Sequence, residues 1–112
     1  MHEYSIVQSL VDSVAAAVGA REAAVHRVDV AIGELAGVDT ALLTTAFEVF
    51  RAGTICENAA LKIDRIAALW ECPRCRASIA RGAFLRCQAC NEPAHLAAGD
   101  EIVLQRIEME VS

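Results

Sequence analysis

Cys72-Pro73-Arg74-Cys75, followed after eleven residues by Cys87-Gln88-Ala89-Cys90, is the stretch that decides the fold. A C-x-x-C turn sets two thiolates on one side of a tight loop. Two such knuckles complete a tetrahedral four-sulfur shell around Zn²⁺, with Zn–S near ~2.3 Å. The spacer Arg76–Arg86 is long enough for a hairpin that brings the knuckles together. Four thiolates also suit iron, and two disulfides or a redox C-x-x-C are the other readings. Disulfides are disfavoured in a reducing compartment, and Met1-His2-Glu3-Tyr4 lacks the basic start of a secretory leader. A redox pair needs no second pair beside it. Zinc is therefore the expectation. A closed four-thiolate site leaves no position for substrate, so it is expected to be structural. Cys56 lies outside the spacing and reads as a small buried hydrophobe.

Outward from the tetrad, residues 67–99 differ in kind from the rest. They hold four of the five cysteines, both prolines and few large aliphatics. Arg74, Arg76, Arg81 and Arg86 against Glu71 and Glu92 give this stretch +2, so the remainder carries −7 of the total −5. With so little apolar material, the metal is expected to supply much of its folding energy. It reads as a zinc-ribbon-like subdomain inserted in a larger body. Both connections are short, which leaves its orientation free to vary.

The body shows helix and strand periods. Ile6, Val7, Leu10, Val11, Val14 and Val18 recur at three- and four-residue spacing, which predicts a helix over 3–18 stopped by Gly19. Val28, Val30 and Ile32 alternate with polar or small residues, a strand over 25–34. Asp39 is placed to cap a second helix whose apolar side is Leu42, Leu43, Ala46, Phe47, Val49 and Phe50, closed by Gly53. Strands follow over 59–66, with Leu61 and Ile63 opposite Lys62 and Asp64, and over 101–111. In the last strand the parity slips between Leu104 and Arg106, the mark of a β-bulge. The fold class is α+β: two helices on a small three-stranded mixed sheet. Residues 1–66 plus 100–112 form the body, and 67–99 the zinc-binding domain.

Composition bounds the function. A chain of 112 residues with 55% hydrophobic content has one modest core and is not disordered. No run reaches the ~18 apolar residues of a membrane span. A net charge of −5 argues against nucleic acid or an anionic membrane as main partner. Reduced thiols without a leader point to the cytoplasm. No Ser/His/Asp, Cys/His or paired-carboxylate constellation is present, nor a Gly-rich phosphate loop, so no enzyme is expected.

His2 stands beside the terminal amine of Met1. That amine, the His2 amide nitrogen and its imidazole can wrap one metal ion in fused chelate rings. A deprotonated amide is a strong-field donor that favours square-planar Ni(II) or Cu(II), and Glu3 offers its amide or carboxylate as a further donor. An unliganded terminal histidine is the alternative, and the spacing alone does not exclude it. His95, after the second knuckle, and His26, at a strand start, read as surface histidines before they read as ligands.

With the N-terminal and cysteine motifs together, the chain resembles the HypA/HybF family over essentially its whole length. The likeness rests on Met1-His2-Glu3 opening a helix with Ser5, on Ile32-Gly33-Glu34-Leu35, and on Ala46-Phe47-Glu48. It continues through Ala60-Leu61-Lys62-Ile63, the two cysteine pairs and Gly99-Asp100-Glu101. Nothing departs from the family pattern at the metal positions. The resemblance implies a nickel metallochaperone of hydrogenase maturation that carries Ni(II) at the Met1 amine and His2, with Glu3 close by. It implies structural Zn(II) on Cys72, Cys75, Cys87 and Cys90. It implies a HypB-type GTPase and the [NiFe]-hydrogenase large subunit precursor as partners, with urease served in some organisms, and leaves monomer or dimer open. The competing reading is a zinc-ribbon module that binds protein or nucleic acid. Its support is the four arginines near the tetrad, and only 4% aromatic residues count against a stacking platform.

Overall fold

A computed structural model describes residues 3–82 and 84–111. The first helix, α1 (Glu3–Val18), buries Ile6, Val7, Leu10, Val11, Val14 and Val18, the whole apolar stripe of its sequence. Gly19 ends it at φ 65°, donating its N–H to the Ala15 carbonyl at 3.0 Å. The first strand, β1 (Ala23–Gly33), begins two residues earlier than the alternation predicts. The second helix, α2 (Thr40–Phe50), is capped by Asp39, whose carboxylate accepts from the N–H groups of Ala41 and Leu42 at 3.0 and 3.1 Å. Strand β2 (Ala60–Ile66) follows, and strand β6 (Ile102–Val111) closes the chain.

β1 is the central strand. It runs parallel to β2, from Arg27 opposite Ala60 to Gly33 opposite Ile66, and antiparallel to β6. A parallel pair needs a crossover, and α2 supplies it. The sheet is thus mixed, three-stranded and covered by two helices on one face, as the periodicities predict. In β6, Arg106 faces Asp29 and Leu104 faces Val30, so Gln105 is the extra residue of the expected bulge. A second irregularity falls at His26 on β1.

Val28, Val30 and Ile32 of β1 meet Val7, Val14, Leu43, Phe47 and the buried Cys56 in one core, with Leu61, Ile63, Leu104, Ile107 and Met109 packed at its margin. The apolar side of α2 is narrower than expected. Leu43, Ala46 and Phe47 are buried, whereas Leu42 and Val49 are 56% and 60% exposed. α2 packs chiefly on α1, so residues on its outer flank have no layer to cover them. On the other face of the sheet Asp29 is buried, gripped by Arg27 through Nε at 2.8 Å and Nη2 at 3.2 Å.

Residues 67–99 build a second sheet that the composition alone does not announce. Strands β3 (Leu69–Glu71), β4 (Ser78–Ile79) and β5 (His95–Ala98) lie in the order β4-β3-β5, all antiparallel. The expected hairpin within Arg76–Arg86 is not what joins the knuckles. Instead each knuckle tips its own hairpin: β3 pairs with β4 around the first, and Arg86 bridges Pro93 around the second. The reason is local. The backbone bonds of a C-x-x-C turn fold the chain back on itself at once.

The two sheets meet at a backbone crossing. Gly33 donates to the Glu101 carbonyl at 2.8 Å, Glu34 to Ile66 at 2.8 Å and Leu35 to Gly99 at 2.7 Å. A Cβ at Gly33 would overlap the Gly99 carbonyl, and one at Gly99 (φ 105°) would lie 2.6 Å from the Ala68 Cα. Glycine is required at both positions by close approach. Among the described residues, no helix is long and apolar enough to cross a membrane.

Candidate metal centre

The two knuckles have the same backbone pattern. Cys72 N–H donates to the Ala77 carbonyl and Arg76 N–H to the Cys72 carbonyl, each at 2.9 Å. Cys87 N–H donates to Glu92 at 2.9 Å and Asn91 N–H to Cys87 at 2.8 Å, the same offsets. Arg76 and Asn91, the residues after each second cysteine, hold left-handed φ values of 67° and 55°. In each turn the first sulfur accepts backbone N–H groups: Cys72 Sγ from Arg74 at 3.4 Å and Cys75 at 3.5 Å, and Cys87 Sγ from Cys90 at 3.4 Å. Such bonds stabilise a thiolate.

These turns aim all four sulfurs at one point. The Sγ atoms of Cys72, Cys75, Cys87 and Cys90 lie within 4.8 Å of one another, and Cys75 and Cys87 are 3.6 Å apart. A tetrahedron with ~2.3 Å Zn–S bonds has sulfur–sulfur edges of roughly 3.8 Å, so the cluster fits a Zn²⁺-sized ion. The thiols press on one another electrostatically. The N–H groups of Cys75 and Arg74 lower the Cys72 thiol to about 7. The hydrogen bond with Cys75 and burial push Cys90 up to about 12. Four thiolates in this space need a cation between them, which is the role the donor set fits.

The remaining sulfur and the histidines stand apart. Cys56 is in the body core, its thiol raised by burial. His95 Nε2 lies 3.7 Å from Glu71 Oε1, and His26 Nε2 lies 3.7 Å from Glu110 Oε1. Neither joins a metal-ligating group among the described residues.

Met1 and His2, the expected nickel donors, lie outside the described residues. Glu3 opens α1, and its Oε2 accepts the Asp39 N–H at 3.3 Å. The start of α1 is therefore tied to the capping residue of α2. Sequence reasoning missed this contact, because Asp39 reads locally as a cap and nothing more. It also missed the part played by Glu34. The Glu34 carboxylate takes Arg81 Nη1 at 2.9 Å, Arg81 Nη2 at 2.5 Å and the Ala68 N–H at 2.9 Å. The Arg81 guanidinium and the Ala68 N–H hold it down to about 2.

Comparison with known proteins agrees with this architecture. Residues 1–109 match the family model for HypA, described as a metallochaperone of hydrogenase/urease nickel incorporation. The hydrogenase maturation factor HypA of Shewanella oneidensis is 36% identical over 98% of this chain and 96% of its own length. That of Wolinella succinogenes is 38% identical at the same coverage. The solution structure of the Ni metallochaperone HypA from Helicobacter pylori superposes with a TM-score of 0.68 at 33% identity, covering 97% of each chain. A second solution structure of a HypA protein gives 0.73 at 32% identity, over 98% of this chain and 97% of its own. With both the Met1-His2-Glu3 start and the four-cysteine cluster inside the matched region, the chain belongs to the HypA family of metallochaperones, which are not enzymes.

Proposed function

We propose that the chain carries Ni(II) for the maturation of [NiFe]-hydrogenase. The nickel is held by the Met1 amine and His2 with Glu3 beside them, and Zn(II) is held structurally by Cys72, Cys75, Cys87 and Cys90. The observation that carries the reading is the family match over residues 1–109, which takes in the terminal motif and the tetrad together. A carrier must select its metal yet release it. A terminal site suits this, since its donors can be exchanged one at a time.

The same reading divides the labour between the two lobes. Residues 1–66 with 100–112 are the nickel-binding domain and 67–99 the zinc-binding domain. The chain works within the hydrogenase maturation machinery. A HypB-type GTPase and the large subunit precursor are the partners, urease is a second destination, and the cytoplasm is the place of work. The nucleic-acid reading loses its footing at the arginines. Arg74 faces Glu92 at 3.9 Å and Arg76 faces Glu71 at 3.6 Å. Arg81 is held by Glu34, and Arg86 donates to the Asn91 carbonyl at 2.9 Å. Each of the four thus has an acidic or carbonyl neighbour in the lobe or the body, which lowers the local positive potential a phosphate would meet.

The test is metal stoichiometry on untagged protein with its native N-terminus, beside His2→Ala. The expected wild type holds one zinc and takes up one nickel, while the variant keeps zinc and loses nickel. Nickel uptake should weaken as pH falls, because imidazole, amine and amide must lose protons to bind. Nickel uptake that is absent, or that survives His2→Ala, overturns the N-terminal site.

A further inference from the structure

Two short connections join the four-cysteine lobe to the body. Only Ala67 and Ala68 separate β2 from β3, and only Gly99–Glu101 separate β5 from β6. The hydrogen bonds of Gly33, Glu34 and Leu35 fix the roots of both connections to the end of β1. They do not reach the lobe beyond its roots. No strand of one sheet pairs with a strand of the other. A lobe hung on two such roots can still swing about them.

One side chain reaches across from well inside the lobe. Arg81, beyond β4, is 47 residues from Glu34 and grips it with both terminal nitrogens. The same carboxylate accepts the Ala68 N–H from the connection itself, while the Glu34 N–H is bonded to Ile66 at the end of β2. Glu34 thus joins β1, β2, the connection and the lobe. We propose that Glu34 and Arg81 form an ionic latch that fixes the direction in which the four-cysteine lobe projects from the body.

The chemistry suits a latch rather than a weld. A forked guanidinium–carboxylate pair fixes both distance and plane, which a single point contact does not. The pair is also open to solvent, with side chains 65% and 40% exposed. Exposed ion pairs contribute little to folding stability and weaken with salt. The latch therefore acts on orientation: among the described residues no other side chain of the lobe hydrogen-bonds the body, and the pair can be released without unfolding either lobe. The Arg81 guanidinium and the Ala68 N–H hold the Glu34 carboxyl down to about 2, so the acid half stays charged in mild acid as well as at neutral pH.

The experiment is residual dipolar couplings with ¹⁵N relaxation on the zinc-loaded full-length chain. In wild type at low salt, amides of both lobes should fit one alignment tensor and one tumbling time. Arg81→Gln should split them into two tensors, with a shorter effective correlation time for the lobe, while zinc content and lobe chemical shifts away from the contact stay as in wild type. The exchanged pair Glu34→Arg with Arg81→Glu should restore a single tensor better than Arg81→Glu alone. Raising salt should separate the wild-type lobes and leave Arg81→Gln unchanged. Two tensors in wild type, or one tensor in Arg81→Gln, overturns the latch. These readouts follow lobe orientation and not nickel, so their failure is distinguishable from failure of the N-terminal nickel site.

Discussion

At the scale of single residues, the backbone crossing beneath the latch has no room for a side chain at Gly33 or Gly99. Gly33 faces the Gly99 carbonyl with no room for a Cβ, and the obstruction is backbone that cannot swing aside like a side chain. Gly33→Ala should destabilise the fold by about 1–3 kcal/mol, the usual cost of forced overpacking, read as a lower midpoint in urea. Gly37, which has nothing within 4 Å of where a Cβ would stand but a φ of 74°, isolates the other effect. Substitution there tests backbone strain without collision. Neither residue's environment can be read from its neighbours in sequence: Gly33 reads as the end of a strand, and only the return of Gly99 makes it obligatory. The cysteines are the opposite case. Their spacing specifies the turns, the turns aim the sulfurs, and the cluster follows.

At the scale of elements, α2 shows how far a periodic pattern reaches. Asp39 was recognisable as a cap because a carboxylate before an apolar periodic run can accept the first free N–H groups, and it does so at Ala41 and Leu42. Asp39→Ala should cost about 1 kcal/mol and lower Tm, measured by thermal melting followed by circular dichroism. Asp39→Ser should recover most of that loss, since serine also caps. The sidedness of the helix was less readable. Leu42 and Val49 belong to the same apolar run as Leu43 and Phe47, yet they face solvent, because what α2 packs against is a decision of the tertiary fold. β6 lies between these cases. The slip at Leu104–Arg106 marked its bulge in advance, but its pairing partner, β1, lies on the far side of the whole inserted lobe.

At the scale of the whole molecule, the chain is long and two-lobed. Its radius of gyration is 17.9 Å, with extents of 56 × 26 × 16 Å. A compact chain of this length would have a radius near ~13 Å. The buried apolar cluster runs from α1 through β1 and α2 to Ala59, with partly buried neighbours on β2 and β6, and includes no residue of 67–99. The lobe therefore has its four-cysteine cluster where the body has a core. A chelator strong enough to strip zinc should abolish amide protection in β3, β4 and β5 while the amides of α1, β1 and α2 stay protected, as hydrogen exchange would show. Simultaneous loss of protection in both lobes would mean the body depends on the metal as well.

What the sequence by itself determined is everything encoded within a few residues. The helical stripe of Ile6 to Val18, the cap at Asp39, the alternation in β1 and the two C-x-x-C turns each follow from short-range geometry. The proposed nickel role of the terminus was readable chiefly through a resemblance to a family, since Met1-His2-Glu3 alone also describes an ordinary chain start. The tertiary structure decided what joins distant residues: Glu3 with Asp39, Gly33 with Gly99, and Glu34 with Arg81. Such contacts leave no local period or spacing, because neither partner's neighbours carry any trace of the other. They exist only once the sheet has brought the ends of β1, β2 and the inserted lobe to one place.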